Sequence, residues 1–236
     1  MHYKLYYWSG IQGRGEFIRL ALEDAGASYD DVARGQGDDA IVSFLDGRHA
    51  GALPFAPPFL QAGRLVIAQV ANILQHLGSP LDLVAASESR RLYAHQLQLT
   101  ISDLVAEVHD SHHPIAGSLY YDDQRVEALR RSADLRGKRL PRFLGYFEQV
   151  LERGGGRHAL REHSYVDLSL FQLMAGLDYA FPRAMRRLGR DLPRLRALGK
   201  RVAERPRIAA YLDSPRRLAF NENGIFRHYP ELDDPL

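Results

Sequence analysis

Three groups of side chains in this sequence have the types and spacing to do chemistry. His109, His112 and His113 in "HDSHHP" stand at i, i+3 and i+4, which puts imidazoles on one helix face. Such a row can bind a metal, line a polar pocket or simply end an exposed helix, and Pro114 breaks the helix directly after it. Tyr7 in "YYWSG" carries a phenol that stays neutral at physiological pH and donates one hydrogen bond, with Arg14 following near a predicted helix start. Its plainer reading is a strand aromatic packed into a core. The third group is "PPFLQAGRLVIAQV", Pro57 to Val70, in which two prolines precede Gln69 across two apolar arms. Cysteine is absent, so the protein has no disulfide, thiolate metal site or sulfur nucleophile of its own.

The surrounding pattern predicts the elements that position these groups. "YKLYYW" is short and aromatic, as a strand would be. "GRGEFIRLALEDAG" has Phe17, Ile18, Ala21, Leu22 and Ala25 at helical spacing, with Gly26 as its stop. "SYDDVA" reads as a second strand, and residues 34–56 as loop with one short helix at "IVSFL". "PFLQAGRLVI" reads as a hairpin turning at Gly63, and "QVANILQHLG" as a helix ending at Gly78. After a linker over 79–88, all remaining patterns are helical. These include two long amphipathic stretches and the apolar "YVDLSLFQLMAGLDYAF", which suits a helix buried in the centre of a bundle. Ser164 and Asp167 before that segment have capping-box spacing. The expectation is therefore an α/β unit over 1–78 followed by an all-α unit over 89–236.

Composition sets the outer limits. The 236 residues are 45% hydrophobic and 25% charged, which is ordinary for a folded globular chain. A formal net charge of +2 gives no electrostatic case for a nucleic-acid partner. No window approaches a membrane span and no signal peptide is visible, so the expected location is the cytoplasm, away from membranes.

Taken in order, "YYWSGIQGRGEFIRLAL", "PFLQAGRLVIAQ" and "SYVDLSLF" resemble the glutathione S-transferase family over nearly the whole chain. The resemblance implies a thioredoxin-like N-terminal domain, an all-helical C-terminal domain, a homodimer, and glutathione as co-substrate. It implies that Tyr7 activates the glutathione thiol, with Arg14 adding positive potential; Tyr6 would face the other side of the strand, and Ser9 is a second possible donor. Pro58 falls at the family's cis-proline, and Gln69 at the residue that holds the γ-glutamyl end. Asp103 matches the acid that reaches the γ-glutamyl ammonium across the dimer interface, or is a solvated helix carboxylate. Arg48 is placed for the glycine carboxylate. Ile11, His109, His113 and Tyr121 are assigned to the pocket for a small hydrophobic electrophile.

Two positions depart from the family pattern. The residue before the cis-proline normally gives a backbone N–H to the cofactor, and Pro57 has none. The residue after Gln is normally Ser or Thr, and Val70 has no hydroxyl. Uncompensated, the two losses would cost about 2–4.5 kcal/mol, or roughly 1.5–3 decades in affinity. The chain then reads as a Tyr-type transferase, or as a non-catalytic protein of the same fold with a weakened glutathione site. The lack of cysteine argues against the family's Cys-dependent branches.

Overall fold

The computed structural model describes residues 1–48 and 52–233. Strand β1 (His2–Tyr6) alternates as expected: Tyr3 and Leu5 enter the main core, while Tyr6 points to the opposite face. Helix α1 (Gly15–Ala25) crosses over to β2 (Ser28–Asp31), which lies parallel to β1. Gly26 caps α1 in the left-handed conformation (φ +64°), which a residue without Cβ adopts at little cost.

The short helix expected at "IVSFL" is present, and residues 32–48 around it are more helical than the loop expected from residue 34 onward. They form α2 (Val32–Gln36), α3 (Asp39–Ser43) and a wide helical turn (Phe44–Arg48). Val32, Ala33, Ile41 and Phe44 bury against Tyr6 and Phe59, with Tyr6 and Phe59 stacked 4.5 Å apart between centroids. Burial of this second small core outweighs the weak helical propensity of a Gly- and Asp-rich segment. The strand expected over "SYDDVA" accordingly stops at Asp31.

The Pro57–Pro58 bond is cis and leads into β3 (Phe59–Ala62), which pairs antiparallel with β1. Gly63 (φ +62°) lets the chain return as β4 (Leu65–Ala68), giving the sheet order β2-β1-β3-β4. Helix α4 (Val70–Gly78) follows at once.

The remainder is helical. Helix α5 (Glu88–Asp110) runs along α4 and α8. Helices α6 (Arg125–Asp134) and α7 (Leu140–Arg153) are joined by a wide turn, Leu135–Arg139, where a single long helix is expected from the sequence. Helix α8 (Tyr165–Ala180) is the centre: Val166, Leu168, Leu170, Leu173 and Leu177 are fully buried. Each such side chain contributes about 1.5–3 kcal/mol of transfer free energy. Asp167 accepts the Ser164 N–H at 2.9 Å and the Ala159 N–H at 2.9 Å, so it satisfies donors at the buried start of α8. Helices α9 (Pro182–Leu188), α10 (Pro193–Ala203) and α11 (Pro206–Leu212) complete the bundle. The last segment then runs back across α8, where Gly176 gives room to the Phe226 ring. The fold is a thioredoxin-like α/β unit with an all-α one. No helix among the described residues is long and apolar enough to cross a membrane.

Candidate functional site

A cavity of about 590 Å³ lies between the start of α1, the cis-proline segment, the start of α4 and one face of α5. That volume is in the range of small-molecule sites. It brings together five residues singled out in the sequence: Arg14, Pro57, Pro58, Gln69 and Val70.

Local geometry explains what each offers. Gln69 has φ +71° and ψ +125°, a backbone state that costs a side-chain-bearing residue about 1–3 kcal/mol. That turn ends β4 and starts α4 without a spacer. The first bond into α4 runs from the Ile73 N–H to the Gln69 carbonyl at 2.9 Å. The N–H groups of Val70, Ala71 and Asn72 therefore precede the helical ladder and, with the helix dipole, are donors on the cavity wall of the kind that suits an anion. Val70 thus retains a donor in its backbone although its side chain has none. Pro57 contributes only a carbonyl.

The α5 wall supplies complementary acceptors that the sequence reading missed. His95 Nδ1 and Gln98 Oε1 are buried without a hydrogen-bond partner among the described residues, and both residues line the cavity. Acceptors of this kind suit a ligand ammonium. A polar residue every third position on the inner face of an amphipathic helix was the available signal. Asp103 is exposed and lies beside Ser102, which is on the cavity wall. Arg48 ends the turn before the cis-proline segment, and its side chain lies outside the described residues.

Tyr7 follows the end of β1 and is 4% exposed, set behind Arg14 and not on the cavity wall itself. Its hydroxyl oxygen accepts the Arg14 N–H at 2.8 Å, which leaves the phenolic proton for another acceptor. Burial raises its pKa, opposed by the Arg14 N–H and by the charges of Arg14 and Arg19, so the phenol is a neutral donor at pH 7. Two glycines make the fit possible. A Cβ at Gly13 (φ +45°) would overlap the Tyr7 hydroxyl, and one at Gly15 would lie 2.6 Å from its ring.

The turn between Tyr7 and α1 is pinned from below by a buried polar network. Arg19, fully buried, donates to the Gln12 carbonyl at 3.2 Å, to Glu16 at 3.2 Å and to Asp31 at 2.6 Å. Glu16 also accepts from Tyr211 and Arg217, each at 2.6 Å. Arg217 reaches Gln172 at 2.9 Å, and Gln172 donates to Gln12 at 2.8 Å. The neighbouring charges raise the Arg19 pKa, so the cation persists although it is dry. Arg19 also sits 5.8 Å over the Tyr7 ring. The sign in the sequence was a Glu–Arg pair at i, i+3 within the apolar first half of the helix.

The remaining candidates are not brought into this cavity. Ile11 is partly exposed and its carbonyl accepts from Arg19 at 3.5 Å. His112, at the end of α5, bonds through Nε2 to the Ile225 carbonyl at 2.8 Å and through Nδ1 to His113 at 2.7 Å. Burial pushes its pKa down to about 3, so it is neutral. His109 packs beside both rings. Tyr121 stacks on Tyr229 at 3.9 Å and donates to Glu231 at 2.8 Å. These side chains hold the C-terminal segment down. That segment in turn crosses the loop after Tyr7, where Asn221 donates to the Gly10 carbonyl at 3.0 Å and a cavity of only about 10 Å³ remains.

Comparison with known proteins agrees with this architecture. Residues 109–215 match the model of the glutathione S-transferase C-terminal domain. A glutathione S-transferase of Plasmodium falciparum is 24% identical over 216 residues, covering 88% of this chain and 93% of that protein. Glutathione S-transferase P of Bos taurus is 28% identical over 218 residues, covering 91% and 93%. The solved Pi-class glutathione S-transferase of Onchocerca volvulus superimposes with a TM-score of 0.72 at 26% identity, covering 95% of this chain and 99% of that one. With its cis-proline turn, the start of α4 on the cavity wall and the buried α8, the chain is similar to glutathione S-transferases over most of its length.

Proposed function

We propose that this protein is a glutathione transferase that binds glutathione in the large cavity and conjugates its thiolate to small hydrophobic electrophiles. The observation that carries the reading is the Tyr7 hydroxyl, which accepts the N–H of the cavity-lining Arg14 and keeps its own proton to donate. A free thiol ionises near about 8.5, and each unit of depression corresponds to about 1.4 kcal/mol of preference for the thiolate. One hydrogen bond from Tyr7 and the potential of Arg14 act in that direction. Glutathione's γ-glutamyl carboxylate would take the start of α4, and its ammonium the acceptors on α5, joined by Asp103 of a second copy in a homodimer. Arg48 remains our candidate for the glycine carboxylate. Ile11, His109, His113 and Tyr121 would border the electrophile only once the C-terminal segment moves aside.

On this reading the chain divides into a glutathione-binding domain, 1–78, and a helical domain, 89–236. The protein works in the cytoplasm, where millimolar thiol is available for detoxification. The fit of Pro57 and the occlusion of Tyr7 favour the alternative, a transferase-fold scaffold that takes apolar ligands without turnover. A calorimetric titration with glutathione up to about 10 mM separates them. Binding in the micromolar to low-millimolar range, followed by glutathione-dependent turnover of an aryl halide, supports the enzyme. No heat across that range leaves the scaffold.

A further inference from the structure

We propose that the protein has a metal site for a late first-row divalent cation such as zinc, made by His158, His163 and Asp167 at the start of α8. The three donor atoms lie within 4.8 Å of one another. Asp167 Oδ2 is 3.2 Å from His158 Nδ1 and 3.6 Å from His163 Nδ1. Metal bonds of about 2.0–2.2 Å put tetrahedral donors roughly 3.3–3.6 Å apart, so both separations suit a shared cation. Two imidazoles and one carboxylate, with a fourth position left for water, is a donor set that zinc takes.

The partners of His163 point the same way. His163 Nε2 lies 2.8 Å from Asp24 Oδ2, which fixes the ring with its other nitrogen turned toward Asp167. His163 Nδ1 is buried, has no hydrogen-bond partner among the described residues, and stands 3.6 Å from the wholly buried Asp167 carboxylate, too far for a direct hydrogen bond. A cation seated between the two would satisfy both. Asp167 Oδ2 takes the Ser164 N–H at 2.9 Å and is within hydrogen-bond distance of His158 Nδ1 at 3.2 Å, a contact that a shared metal would replace. Asp24 is the carboxylate that orients a metal-binding histidine from behind. Its own charge is balanced on the far side by Arg205, at 2.5 and 3.0 Å.

Asp24 belongs to α1, whereas the three ligands belong to the loop before α8 and its first turn. A bound metal would therefore tie the helical part to the sheet-bearing part. The two histidines are 21% and 16% exposed, which leaves a path for the ion and for a bound water.

The test uses the full-length protein without an affinity tag, stripped with a chelator and titrated with zinc alone against a chromophoric competitor. One zinc per chain at micromolar affinity or tighter is expected, with a rise in Tm on saturation. His158→Gln and His163→Gln each keep the Asp167 cap and should abolish tight binding and the Tm rise. Asp24→Asn should weaken binding roughly 10–100-fold, and His112→Gln should leave it unchanged. His158 lies in a loop, so that variant reports even if His163→Gln fails to fold. Absence of binding by wild type at about 100 µM zinc would overturn the proposal, as would zinc binding that persists in His158→Gln.

Discussion

Replacing Tyr7 by Phe removes one oxygen that accepts from one donor and donates to one acceptor, and the two losses are read by different assays. On the structural side, the Arg14 N–H loses the acceptor it has among the described residues, in a region where Tyr7 is 4% exposed. A stranded buried amide costs about 1–3 kcal/mol, or roughly 2–10 °C in Tm for a chain of this length. On the chemical side, a bound thiolate loses a charge-assisted hydrogen bond of about 1.5–3 kcal/mol, so the thiol pKa rises by roughly 1–2 units. The thiolate fraction at pH 7 then falls about 10–100-fold, and glutathione-dependent turnover falls with it. Ultraviolet absorbance of the thiolate, followed against pH at saturating glutathione, reads the pKa directly. Turnover of an aryl halide reads the rate, and a thermal melt reads the stranded amide. If Tyr7→Phe melts lower but its thiol pKa and rate match wild type, Tyr7 is a structural residue and the catalytic assignment is wrong. If Tm is also unchanged, the Arg14–Tyr7 bond itself is misjudged.

Other consequences follow from the same geometry. Val70→Thr adds a hydroxyl at the start of α4 without changing side-chain shape, and should tighten glutathione binding roughly tenfold in a calorimetric titration. Glu16→Ala leaves Arg19 and Arg217 facing each other without their shared carboxylate; a loss of about 3–5 kcal/mol in urea unfolding is expected, and a loss below about 1 kcal/mol would contradict the network. Gly13→Ala forces a Cβ into the Tyr7 hydroxyl at a positive φ, and should cost about 1–3 kcal/mol together with most of the turnover. His112 has a folded pKa near 3 against roughly 6.5 in the unfolded chain, so the unfolded state binds more protons throughout that window. Stability should therefore fall as pH drops below about 6.5, by roughly 2 kcal/mol at pH 5, and His112→Gln should remove that slope from a series of melts.

Much of this protein is legible in its residue order alone. Period-two alternation in β1, helical spacing in α1 and α5, the unbroken apolar run of α8 and the Gly63 turn are local signals, and each element formed where its pattern lies. The cavity residues Arg14, Pro57, Pro58, Gln69 and Val70 could be named because they fall in or directly beside "QGRGEFIRL" and "PFLQAGRLVIAQ", the short segments that carry the resemblance to the glutathione S-transferase family. Tertiary packing decided the rest. The short helix at "IVSFL" was legible, but the helical turns on either side of it form because Val32, Ala33, Ile41 and Phe44 bury against Tyr6 and Phe59. His112 turned from a site candidate into a clamp because the Ile225 carbonyl, far along the chain, accepts from it. The charged network under the Gln12 turn joins residues from α1, α8, α11 and the C-terminal segment. A charge becomes buried, paired and structural only through what the rest of the chain places around it, so composition and spacing say that Glu16, Arg19 and Arg217 are present, and three-dimensional proximity says what they do.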